Sequence, residues 1–216
     1  MTELRTVQDR LREEYFKLLP DMKRSLVALE AEVRHRLLPI MVALDRYEQV
    51  RIDSRLKDCE SAIDKLRRRQ EARVFDPEKT ETYSLSILRD LVGIRILVFP
   101  SQRIDQVRSA LQPLLAPWSA DPVPGIEVGD PPIALKYFGS FESASTTITV
   151  ELQIVSSLVG LFWDVEHDAV YKTSPNLQGA MASPSMKERK GVVLTALRDF
   201  ENEFERLIRE SGEPEP

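Results

Sequence analysis

Apolar residues recur at spacings of three and four near the start of the chain, at Leu26, Leu29, Val33, Leu37 and Ile40. That is the pattern of a helix with one buried stripe. The sequence predicts two helices here, 3–18 and 22–46, separated by Pro20, with Pro39 kinking or ending a turn of the second. From residue 49 the period changes to two. Val50, Ile52, Ser54 and Leu56 alternate with Arg51, Asp53, Arg55 and Lys57, as in a strand with one buried face. Asp58 is placed to cap a helix running to about Arg73. Leu91–Phe99 is a β-branched run ending at Pro100, the pattern of a central strand. Ile104, Val107, Leu111 and Leu114 then predict another helix.

Residues 116–133 are rich in proline and glycine and read as a loop. Residues 134–142 and 146–155 predict a β-hairpin turning around Glu142–Ser145. An apolar helix follows over 157–172, then a loop over 173–185. A charged amphipathic helix over about 186–210 leads into the GEPEP tail, expected to be disordered. The order of elements predicts an α+β fold, a small mixed sheet flanked by helices with N- and C-terminal helical extensions. The expected divisions are 1–46, 47–172 and 173–216. No internal repeat is present.

Composition narrows the function. The 216 residues carry a net charge of −5, which excludes a general nucleic-acid or membrane binder. The charge is uneven: residues 1–73 hold 17 basic against 14 acidic side chains, a surplus of three, and the remainder holds 13 against 21. An anionic ligand is therefore expected to draw on the first third. Cys59 is the only cysteine, so no intrachain disulfide can form, which fits a reducing compartment. Neither a signal-peptide pattern nor a membrane-length apolar run occurs, and the expected location is the cytoplasm.

Four clusters carry candidate chemistry. Arg55, Lys57, Ser61 and Lys65 lie at the end of the first strand and on one face of the next helix, whose N-terminus adds partial positive charge. They suit a polyphosphate, or form a solvated basic face continuing into Arg67, Arg68 and Arg69. Asp90 enters the buried strand, placed for a hard metal ion, with Gly93 allowing close approach and Arg95 inside the apolar run. A structural ion pair between Arg95 and a carboxylate is the alternative. Glu151 and Gln153 leave one face of the second hairpin strand while Val150, Leu152 and Ile154 leave the other for the core. Glu151 suits a metal or a proton acceptor, or belongs to an exposed polar face. In Trp163-x-x-Glu166-His167-x-x-x-Tyr171-Lys172, His167 reads as structural, and Lys172 as a phosphate ligand or a surface residue.

Taken in order, RLKDCESAIDK, DLVGIR, ELQI and WDVEHDAVYK resemble the synthetase domain of RelA/SpoT proteins over roughly residues 45–172. The resemblance implies a nucleotidyltransferase-like mixed sheet. It also implies a magnesium-dependent transfer of pyrophosphate from ATP to the 3′-hydroxyl of GDP or GTP. On that resemblance Arg55, Lys57, Lys65 and Arg95 bind ATP phosphates, Asp90 and Glu151 hold magnesium, Glu151 also activates the hydroxyl, and Gln153 lies beside them. The acceptor side departs from the family. Its Tyr-x-Ser-x-His-like segment is replaced by ALKYFGSFESASTT, where Tyr137 is the nearest candidate to stack on a base. No Lys or Arg occurs from Ser109 to Leu135, a stretch holding Asp121, Glu127 and Asp130. Val155 and Ser156 stand where the family carries an arginine. Three readings follow: alarmone synthesis, the same chemistry on another acceptor such as a tRNA 3′ end or an adenine nucleotide, and a non-catalytic nucleotide-binding or assembly module. A homo-oligomer is expected in each case.

Overall fold

The computed structural model describes residues 6–71, 83–125, 130–142, 147–171, 179–181 and 183–211. Expectations for Arg73, Lys172, the hairpin turn at 143–145 and the tail lie outside these residues, as does the side chain of Tyr171.

The first two predicted helices are one. Helix α1 spans Val7–Val42 without interruption, although it contains Pro20 and Pro39. A proline inside a helix removes one backbone hydrogen bond and crowds the preceding turn. Both prolines lie on the solvent side, so the carbonyls they leave without a helical donor can turn to water. The buried stripe, Leu11, Tyr15, Met22, Leu29, Val33, Leu37 and Ile40, runs past both and holds the helix against the core. Thr6 starts the helix by a capping box with Asp9. The helix ends at Val42, short of the expected residue 46.

Strand β1 (Gln49–Leu56) and helix α2 (Cys59–Glu71) follow. Asp58 caps α2, its Oδ1 accepting from the Ser61 N–H at 2.9 Å. A 3-10 turn at Leu85–Ile87 precedes strand β2 (Val92–Phe99) and helix α3 (Arg103–Leu115). The proline-rich loop contributes a two-residue edge strand, β3 (Ser119–Ala120), which the sequence does not predict. Pro122 and Pro124 lack the N–H needed to extend it. The hairpin is β4 (Ala134–Glu142) and β5 (Thr147–Ser156), followed by α4 (Ser157–Tyr171) and α5 (Pro184–Ser211).

The sheet order is β1-β2-β5-β4-β3, with β2 and β5 parallel and the other pairs antiparallel. Its two faces differ. One carries Val50, Ile52, Ile94, Ile96, Val150, Leu152 and Ile154 into the main core with α1 and α3. Trp118 lies so close to Gly139 on β4 that an added Cβ would come within 2.1 Å of its ring. The other face changes character along its length. Leu97 and Val155 form a small second core with Val159 and Trp163 of α4 and Leu194 of α5. Two residues back along each strand, Arg95 and Gln153 make that face polar.

Two outcomes are expected. Leu29→Ala should cost about 3 kcal/mol in urea unfolding, because Leu29 is fully buried. The second concerns Glu201 on α5, which is 2% exposed and accepts from the Ser156 hydroxyl. Burial pushes its carboxyl above the ordinary glutamate range and Glu205 adds to the rise, against hydrogen bonds from Ser156 and Ser101. The folded state therefore holds this proton more tightly than the unfolded chain. Stability from this site is present below about pH 4.3 and is lost as pH rises through the folded pKa. Relative to the parent, Glu201→Gln should lose less stability between about pH 4 and pH 8, read from urea midpoints.

Candidate functional site

Side-chain alternation assembles the site. Arg55, Gly93, Glu151 and Phe138 stand opposite one another across β1, β2, β5 and β4. Asp53, Arg95, Gln153 and Lys136 form the next row. All eight leave the face opposite the main core. Asp53, Arg55, Gly93, Arg95, Glu151 and Gln153, with Asp164 from α4, line a cleft of about 190 Å³.

Glu151 is almost buried, at 8% exposed. Its Oε1 accepts from Gln153 Nε2 at 2.9 Å, and Lys136 Nζ stands 4.0 Å away. Arg55 lies across Gly93, where an added Cβ would meet its Cγ at 3.6 Å, ordinary contact. Glycine is therefore not forced here by a clash. Its lack of a side chain leaves room above β2 for Arg55. Arg95 pairs with Asp164, Nη1 to Oδ1 at 2.6 Å. The ion-pair reading of Arg95 and its placement in the cleft both hold geometrically.

A second group lies just beyond the first row. Strand β1 ends at Leu56, and the Lys57 N–H donates to the Leu91 carbonyl at 2.9 Å. Lys65 of α2 donates from Nζ to Asp90 Oδ2 at 2.6 Å, and Lys57 Nζ is 3.2 Å from the same oxygen. Burial alone raises the Asp90 carboxyl, but Lys65 and Lys57 outweigh it and hold it below the ordinary range. It is thus an anion at neutral pH. Its Oδ1 is buried and has no hydrogen-bond partner among the described residues.

Asp90 is three residues before Gly93, a span of at most roughly 10 Å, and Gly93 faces Glu151. The two acids therefore sit at the same end of the sheet. No cluster of three or more His, Cys, Asp or Glu among the described residues forms a preassembled metal cage. Two carboxylates suit magnesium nonetheless, since it keeps several waters and binds through one or two carboxylates plus phosphate oxygens. The unpartnered Asp90 oxygen fits that role.

The remaining expectations divide. Ser61 is exposed on α2 and spends its N–H on the Asp58 cap. Arg67 and Arg68 interact with Asp64 on the outside of α2, the solvated face. His167 is exposed beside Asp168, while Glu166 pairs with Lys190 and Trp163 joins the second core, so that motif ties α4 to α5. Tyr137 requires a correction. It stands opposite Leu152 and packs against the main core, on the face away from Glu151. The aromatic residue on the cleft's face is its neighbour Phe138, with the Arg89 guanidinium 5.7 Å from the ring centre. Asp130, expected near an acceptor, pairs with Arg198 of α5. Phe138 and Asp164 are absent from the candidates that the sequence supplies. A hairpin register one residue different would point to Phe138, whereas Asp164 carries no spacing signal of its own.

Lys65→Met should leave Asp90 with a single lysine. Its carboxyl should then titrate at higher pH than in the parent, read by carboxyl-carbon NMR.

No protein-family model matches the sequence, and no curated protein is significantly similar to it. Solved structures do match. Small alarmone synthetase 1 from Bacillus subtilis superposes with a TM-score of 0.62 at 15% identity, covering 92% of this chain and 99% of that one. The same protein, bound to its product pppGpp, gives 0.63. A GTP pyrophosphokinase family protein from Streptococcus pneumoniae gives 0.59 at 17% identity, covering 92% and 94%. The chain has the mixed α+β fold of the small alarmone synthetases.

Proposed function

We propose that the chain is a pyrophosphotransferase that moves the terminal pyrophosphate of ATP onto a nucleotide 3′-hydroxyl, GDP or GTP in the first reading. The observation that carries this is the convergence of Arg55, Arg95, Glu151 and Gln153 in one cleft, beside an ionised Asp90 clasped by Lys57 and Lys65. Transfer of this kind depends on positioning and charge neutralisation more than on covalent chemistry from the protein. The neighbours' ligands agree with it: Bacillus subtilis small alarmone synthetase 1 has been solved with AMPCPP and with pppGpp.

In this reading Arg55, Lys57, Lys65 and Arg95 hold the donor phosphates. Glu151 takes the proton as the acceptor oxygen bonds to the β-phosphorus of ATP. The bond from that phosphorus to the α–β bridging oxygen breaks, and AMP leaves. Asp90 and Glu151 would hold magnesium, which neutralises phosphate charge when bound. Gln153, hydrogen-bonded to Glu151, fixes the carboxylate's orientation. The long outer helices leave Phe16, Val27 and Leu38 of α1 exposed, which supports a homo-oligomer.

A different acceptor is the second reading. In this reading Phe138, with the Arg89 guanidinium over its ring, takes the part of the family's tyrosine, and no basic residue lies between Ser109 and Leu135. A guanosine diphosphate therefore meets few cations on this side. A tRNA 3′ end, which brings no terminal diphosphate, places fewer demands there; an adenine nucleotide carries the same phosphates as its guanine counterpart and would be chosen by its base.

Labelled ATP with magnesium, offered GDP, GTP, ADP and tRNA in turn, should label one of them. Glu151→Gln should lower that rate at least about 100-fold, and Asp90→Ala should remove the product. Unchanged turnover in either variant sinks these roles. Growth arrest on expression, relieved by Glu151→Ala, selects the second reading.

A further inference from the structure

Two arginines line the cleft, and they are not in the same state. Arg55 on β1 is exposed and has no ion pair among the described residues. Arg95 on β2 is 20% exposed at its side chain and is held by Asp164. No other partner of either Arg95 or Asp164 occurs among the described residues. The pair joins a rigid central strand to helix α4. The helix itself is fixed on the sheet: Gly160 sits against Leu97, where an added Cβ would come within 2.2 Å of Cδ2, and Trp163 is in the second core. Asp164 leaves this anchored segment toward the cleft with its side chain 53% exposed. Of the two partners, the carboxylate is the one with solvent to move into.

We propose that Asp164 is a resident anion of the cleft: it occupies Arg95 while no ligand is bound, and a phosphate group must displace it to dock there. This rests on reading the cleft as a polyphosphate site. A partly exposed ion pair contributes at most about 1 kcal/mol, so a phosphate that accepts two parallel hydrogen bonds from the guanidinium can take its place. Until it does, the pair screens Arg95 from weaker anions. Asp164 thereby sets the threshold for binding and touches the ligand only by giving way to it.

The test is calorimetric titration of the full-length chain with AMPCPP, using the parent, Asp164→Asn, Arg95→Met and the double variant. Asp164→Asn should tighten binding about five-fold, equivalent to roughly 1 kcal/mol at 1.4 kcal/mol per tenfold. In the Arg95→Met background the same change should gain less than about two-fold, because its partner is gone. Equal or weaker binding by Asp164→Asn overturns the proposal while leaving the polyphosphate site intact. So does a five-fold gain that survives Arg95→Met, which is general charge relief. If neither the parent nor Asp164→Asn binds AMPCPP, although both melt cooperatively, the polyphosphate reading falls and this inference falls with it. Should Asp164→Asn fail to melt cooperatively, Asp164→Ala carries the same expectations.

Discussion

Side-chain alternation on β2 and β5 fixes what the cleft contains. Ile94 and Leu152 must reach the main core, where both are essentially unexposed, and that places Gly93, Arg95, Glu151 and Gln153 on the opposite face. A slip of one residue would bury two charges among aliphatic side chains and send the core outward. The apolar cost of such a slip therefore protects the polar geometry. The cleft needs no loop to hold its acidic and basic groups in place. Its limit is set on the same strands, where Leu97 and Val155 turn the face apolar and α4 settles on it.

The electrostatics follow from that placement. Glu151 and Asp90 are both nearly buried, and a buried carboxylate is costly unless compensated. The two are compensated differently. Asp90 has two lysines on one oxygen and, among the described residues, no partner on the other. Glu151 has an amide hydrogen bond and a lysine at the outer limit of ion pairing. Glu151 thus has fewer cations beside it than Asp90, which agrees with the proton-accepting role proposed for it. The two lysines hold the Asp90 carboxyl below the ordinary range, which agrees with the cation-facing role proposed for it.

Much of this is legible in the sequence, and the failures share a cause. Strands β1 and β5 are readable from alternation and β2 from its β-branched run, while the DLVGIR and ELQI segments point to the site through the family resemblance. Pro20 and Pro39 mislead because proline's local cost, taken by itself, omits the buried stripe that runs past both. Tyr137 misleads because a hairpin's register depends on the length of its turn, which alternation alone does not fix. With Glu151 opposite Phe138, the odd residues of β5 meet the even residues of β4. Asp164 is invisible because a helical acid gives no signal until its strand partner is known.

The acceptor side is where local pattern and physical role part most clearly. Phe138 keeps an aromatic ring on the cleft's face, and Arg89 keeps a cation beside it, while Lys136 leaves the neighbouring row toward Glu151. A wall of one ring, one guanidinium and one ammonium can stack a base and steady a single phosphate. Arg198 of α5 is engaged by Asp130. In the proposed reading the chain combines a donor side strong in positive charge with an acceptor side that relies on an aromatic surface. In such a site the acceptor's base, more than its phosphates, decides what is bound.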